Sequence, residues 1–136
     1  MNICVCVDDS MGMSFGGRRL SRDRVLIERL LSHTEYDRIY VSSYSLPLFS
    51  EYGDARVTVT SDLACAGKDD LCFMELEHIT EYSSEIDRIL MYRWNRRYPS
   101  DRKFPFLPEQ KGYRKVSEVD FTGSSHDRIT EEEWIR

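Results

Sequence analysis

Residues 2–7, Asn-Ile-Cys-Val-Cys-Val, are apolar almost without interruption and stop at the paired acids Asp8-Asp9. So short a run without polar alternation reads as a buried strand. Ser10 to Arg19 then reads as a loop, with Gly12, Gly16 and Gly17 and the first two of a set of arginines at 18, 19, 22 and 24. Ser21 is placed to cap a helix with Asp23 in its first turn. Val25, Leu26 and Leu30 give that helix its period, and it ends near Ser32-His33. A strand, a glycine- and arginine-rich loop and a helix thus occupy the first quarter of the chain.

The alternation continues. Asp37 to Ser43 reads as a second strand, and Ser45 to Tyr52 as a helix kept short by Pro47. Arg56 to Thr60 is β-branched and alternating, and so a third strand. Ser61 to Asp70 is loop, Leu71 to Met74 a short strand, Glu75 to Ser84 helical, and Ile86 to Trp94 contains another strand. Asn95 to Gln110 is irregular, with Pro99, Pro105 and Pro108. Tyr113 to Glu118 and Arg128 to Trp134 read as closing strands, although Ile-Thr-Glu-Glu-Glu-Trp fits a helix as well. Strands alternating with helices imply right-handed crossovers and a mainly parallel sheet, here with an antiparallel C-terminal edge. No linker, repeat or low-complexity segment divides residues 1–136, so a single domain is expected.

Composition narrows the classes. Hydrophobic residues make up 40% of the 136 and aromatics 12%, enough to build a core. No apolar run approaches the roughly 20 residues of a membrane span. The start of the chain does not read as a signal peptide, so no membrane partner and a cytoplasmic protein are expected. A net charge of −5 argues against non-specific nucleic-acid binding. Yet 15 of the 19 basic residues are arginine, whose planar guanidinium grips phosphate or carboxylate with two parallel bonds. The alternative is ion pairing with the many acids. Cys4 and Cys6 alternate onto one face of the first strand, and neither they nor Cys65 and Cys72 show metal-ligand spacing, so free thiols are expected. The Asp-Asp pairs at 8–9 and 69–70 each lack a third ligand, and neither a metal nor a cofactor is expected.

The motifs in this order resemble dihydrofolate reductase, shortened. Val-Cys-Val-Asp-Asp-Ser-Met-Gly-Met-Ser-Phe-Gly-Gly-Arg-Arg-Leu-Ser-Arg-Asp, residues 5–23, is similar to that family's first strand, flexible substrate loop and helix start. The resemblance gives Asp23 the place of the substrate-binding carboxylate. Residues 39–45 and 56–62 are similar to the second and third strands, and residues 71–94 to the strand, helix and strand around the cofactor turn. Tyr-Pro-Ser-Asp-Arg-Lys-Phe-Pro-Phe, residues 98–106, is similar to the family's Asp-Thr-x-Phe-Pro segment. The resemblance implies a dihydrofolate reductase-like α/β fold with flanking helices. The departures bear on function. Where the family holds cofactor phosphates on a Gly-Gly turn, this chain has Glu75-Leu76; a carboxylate there opposes a pyrophosphate by about 1 kcal/mol or more at short range. Where the family has a basic turn, this chain has Ser42-Ser43-Tyr44-Ser45.

Three constellations are candidates for a site. Arg18, Arg19, Ser21 and Arg22, with Arg24, form an anion grip at a helix N-terminus, or else a solvated basic face. Asp23 reads an amino-substituted base edge, or else only stabilises the helix. Tyr92, Arg93, Trp94, Asn95 and Arg96 lie at a strand end, where open α/β sheets bind ligands, with Ser43 and Tyr44 beyond a neighbouring strand. Tyr92 and Trp94 could stack on a base there. The contiguous Ser124-Ser125-His126-Asp127 reads as a turn, since the members of a hydrolase triad meet from distant positions. The function expected is a non-catalytic binder of a small nucleotide-like anion, of the kind by which viral anti-defence proteins sequester a nucleotide immune signal. The alternatives are a divergent NADPH-dependent pterin or pyrimidine reductase and a protein–protein interaction module. An edge strand offers a route to a homodimer.

Overall fold

The computed structural model describes Met1–Arg136. Strand β1 (Asn2–Val7) runs into a hairpin of β2 (Gly12–Phe15) and β3 (Arg18–Arg19), then helix α1 (Arg24–Leu31). Strands β4 (Arg38–Val41), β5 (Val57–Val59), β6 (Asp70–Phe73) and β7 (Arg88–Arg93) follow, then β8 (Arg102–Lys103), β9 (Arg114–Phe121) and β10 (Ile129–Ile135). Seven strands form one sheet in the order β5-β4-β6-β1-β7-β10-β9, and β3-β2-β8 form a smaller one. Pairing is parallel from β5 through β7, and β10 and β9 are antiparallel.

The position of β1 follows from its sequence. It bonds to β6 on one side and β7 on the other, so both its edges are satisfied. Ile3, Val5 and Val7 enter a cluster with Met91, Phe104, Tyr113 and Trp134 on one face. Cys4 and Cys6 turn to the other face, with Leu26, Ile27 and Leu30 of α1 and with Phe73, Tyr92 and Trp94. All four cysteines are free. Burial raises the Cys4 and Cys6 thiols well above their ordinary range, and Cys72 to about 12, so these three stay protonated at neutral pH.

Three elements differ from expectation. Ser10 to Arg19 is not a plain loop: Gly16 and Gly17, at φ 59° and 73°, make the two-residue turn between β2 and β3. Glu75 to Ser84 is not an α-helix. The Glu77 carboxylate accepts from the amides of Glu75 (2.7 Å) and Leu76 (3.0 Å), turning the chain, and only Ile79–Glu85 coils, as a 3-10 segment. Ser45 to Tyr52 is likewise two short 3-10 turns, Leu46–Leu48 and Ser50–Tyr52, broken at Phe49. The ambiguous Glu-rich end is strand β10, whose Glu131 and Glu132 are buried in ion pairs. No helix is long and apolar enough to cross a membrane.

Candidate functional site

The parallel strands β1, β6 and β7 end beside the start of α1. There Cys6, Phe73, Glu75 and Trp94 meet Ser21, Asp23, Leu26 and Ile27 around a cavity of about 10 Å³, roughly the space of one water. Outside it lies a groove of about 350 Å³, bounded by Arg22, Arg24 and Ile27 on one side and by Leu48, Ser50 and Tyr52 on the other. Asp23 and Leu48 belong to both walls, so groove and cavity adjoin.

Asp23 is the N-cap of α1 rather than a first-turn residue. Its Oδ1 accepts from the amides of Val25 (2.9 Å), Leu26 (3.3 Å) and Ser124 (2.9 Å). Its Oδ2 accepts from the Ser125 amide (2.8 Å) and lies 3.0 Å from His126 Nδ1. Burial works against the charge, but the Ser125 and Ser124 amides and the His126 ring outweigh it, holding the carboxyl well below its usual range. A carboxylate so occupied has little capacity left for the base edge expected of it. The turn around it requires Gly123: a Cβ there would run into the Asp23 carboxylate.

A carboxylate can only accept, so His126 Nδ1 carries a proton, and in the neutral ring Nε2 is then the acceptor. Nε2 lies 3.0 Å from Ser21 Oγ and 3.1 Å from the Tyr98 hydroxyl. Trp94 stacks on the imidazole at 4.6 Å and fixes its plane. His126 is 5% exposed. The four-residue run 124–127 is thus a turn, and it delivers His126 between Ser21 and Asp23, about a hundred residues earlier in the chain.

The remaining expected residues separate into groups. Arg19 is spoken for: Nε and Nη2 grip Glu75 at 2.8 and 3.0 Å, and the guanidinium lies 4.3 Å over the Tyr44 ring. Ser45 Oγ gives Glu75 a further bond at 2.7 Å. Arg18, Arg22, Arg24 and Arg96 have no ion pair, but only Arg22 and Arg24 line the groove. Ser43 is exposed in the turn after β4.

Tyr92 requires a correction, since it cannot stack on a ligand. It is fully buried, and its hydroxyl donates to Glu131 Oε2 at 2.7 Å. Arg93 alternates to the opposite face, where Nε meets Glu132 at 3.0 Å. Asn95 holds Thr130 Oγ1 at 2.9 Å. Trp94 does line the cavity, but at 4% exposed it offers a ligand almost no surface. His126, Tyr52 and Tyr98 were missed as site residues. For His126 the only signal was a histidine in a polar turn, and nothing local marks its partners.

No protein-family model matches the chain, and no curated protein matches it by sequence. Among solved structures, a dihydrofolate reductase from Enterococcus faecalis, complexed with NADP(H) and RAB-propyl, aligns with 99% of this chain and 95% of its own. The TM-score is 0.66 and the identity 10%. At that identity the match concerns architecture alone: this chain has the dihydrofolate reductase-like fold, shortened.

Proposed function

We propose that the chain binds a small nucleotide-like anion in the groove between α1 and the Ser50–Tyr52 turn, and that it is not a reductase. The observation that carries this reading is the contrast among the arginines. Arg19, inside, is neutralised by Glu75, whereas Arg22 and Arg24 line the groove without an ion pair, although Glu51 stands in the same lining. They stand at the N-terminus of α1, whose dipole adds to their pull on a phosphate. Tyr52 supplies an aromatic wall, and about 350 Å³ falls in the range of small-ligand sites.

Against hydride transfer stands the end of β6. The resemblance puts a phosphate grip there, but the amides of Glu75 and Leu76 already serve the Glu77 carboxylate. An internal anion occupies the donors that a pyrophosphate needs. The similar reductase's complex with NADP(H) favours the second reading, a divergent NADPH enzyme. Sequestration of a nucleotide signal is the finer form of the first reading, and it demands slow release without turnover.

A thermal-shift and calorimetric panel of NADPH, folates, ATP, ADP-ribose isomers and cyclic oligonucleotides separates these readings. The expected outcome is a shift with one nucleotide class, none with NADPH, and at least tenfold weaker binding in Arg22→Ala and Arg24→Ala, about 1.4 kcal/mol. Binding of NADPH at micromolar concentration reverses the assignment. Recovery of the nucleotide chemically changed sinks sequestration.

A further inference from the structure

We propose that Ser21, His126 and Asp23 form a nucleophilic relay, with Ser21 as an acylatable hydroxyl acting on carboxylic esters that carry an anionic group. The inference is independent of which nucleotide the groove takes.

The geometry has the nucleophile, base and orienting carboxylate that such chemistry needs. Ser21 Oγ lies 3.0 Å from His126 Nε2, and His126 Nδ1 lies 3.0 Å from Asp23 Oδ2. The carboxylate fixes the tautomer in which Nε2 is free to take a proton, and it is positioned to stabilise the imidazolium that results. Asp23 is itself immobilised by four backbone amides, and the Trp94 stack holds the ring plane. Ser21 is partly exposed and lines the one-water cavity rather than the groove itself, so an ester has to reach Oγ from its solvent side, whereas His126 and Asp23 are shielded from water. The N–H groups of Ser21 and Arg22 make no hydrogen bond within the protein, which leaves two unclaimed backbone donors next to the nucleophile in the chain. Neighbouring Arg22 and Arg24 select a substrate with a distal negative charge.

The reaction balances with water alone. Ser21 Oγ bonds to the carbonyl carbon as its proton passes to His126 Nε2; the carbon–oxygen bond to the leaving group breaks, and Nε2 returns the proton to that alkoxide. Water then attacks the acyl-serine and gives its proton to Nε2. The acyl–Oγ bond breaks, a carboxylic acid leaves, and Oγ is reprotonated. Ser21 and His126 are the catalytic residues, and Asp23 is a positioning residue. Tyr98 competes for Nε2 at 3.1 Å and restrains the resting site.

The test is labelling with an alkyl fluorophosphonate, read by intact mass and peptide mapping. The probe carries no nucleotide, so its failure leaves anion binding in the groove standing. The expected result is one adduct, on Ser21, absent from Ser21→Ala and formed about a hundredfold more slowly in His126→Gln. Asp23→Asn keeps a cap oxygen; in the folded variant, slower labelling at unchanged helicity separates positioning from scaffolding. Tyr98→Phe is expected to label at least as fast as wild type. Among esters, mono-p-nitrophenyl succinate is expected to show a higher kcat/KM than p-nitrophenyl acetate, with the preference lost in the Arg22→Ala, Arg24→Ala double variant. No adduct after hours at millimolar probe, an adduct elsewhere, or full-rate labelling in His126→Gln overturns the proposal. Equal kcat/KM for the two esters overturns its substrate class.

Discussion

Glu131 lies in the middle of β10, 3% exposed, and serves three side chains. It accepts from Tyr92 of β7 at 2.7 Å and from Arg29 of α1 at 3.2 Å, and it meets His33 Nε2 just beyond α1 at 3.0 Å. Burial opposes its charge, but these partners, His33 first, hold its pKa below the usual carboxylate value. His33 is raised, chiefly by the bond to Glu131, with Glu35 adding to it; Glu133 also lies 3.8 Å away. The signs set a window. The His33 contribution is complete below its ordinary 6.5 and fades as pH climbs through the raised value. The Glu131 contribution is complete above 4.5 and fades as pH falls through the lowered value. His33→Gln should therefore melt below wild type by the widest margin at about pH 6, with the gap narrowing towards about pH 9. A gap that widens with pH would contradict the ion pair.

At the scale of elements, the hairpin of β2 and β3 carries Arg19 to Glu75 and brings Ser21 to the mouth of the cavity. Its turn depends on two left-handed residues. A Cβ at Gly17 meets nothing within 4 Å, so Gly17→Ala tests backbone conformation alone. The expected cost is about 1 kcal/mol in urea unfolding with an unchanged slope. A neutral result would mean that the turn is free to rearrange. The Gly-Gly pair between Met-Ser-Phe and Arg-Arg is a hairpin signal that the reading of Ser10 to Arg19 as loop did not use. The helix expected over 75–84 failed for another reason. Its periodicity allowed a helix, yet the Glu77 carboxylate intercepts the first amides and leaves only a 3-10 coil.

Across the whole molecule, the order of strands sets a gradient of stability. β1 is central, paired with β7 along its length and with β6 over Asn2–Cys4, whereas β5 has one neighbour and exposes Val59. Hydrogen exchange should find the amides of β1 and β7 opening only with global unfolding, and those of Val57–Val59 opening locally and much faster. Equal protection of β1 and β5 would show that the sheet opens as one unit. The same order gathers the ends of β1, β6 and β7 at the start of α1, which is why the candidate site lies there rather than among the exposed Arg96 and Arg97.

Local pattern was sufficient for much of this architecture. The apolar run of β1, the period of α1 and the β-branched alternation at β5 are properties of neighbouring residues, so strands and helix were legible one by one. The parallel order followed from their alternation. The site was legible only as a neighbourhood: arginines near a helix start and aromatics near a strand end. Which arginine stays free, which tyrosine is buried and which histidine meets which serine depends on pairings across the sheet. Ser21 and His126 are 105 positions apart, Arg19 and Glu75 56. No periodicity encodes such a distance. It arises when β10 pairs with β7 and the turn before it closes over α1, placing His126 against Asp23. Burial then removes competing water and makes those few contacts decisive.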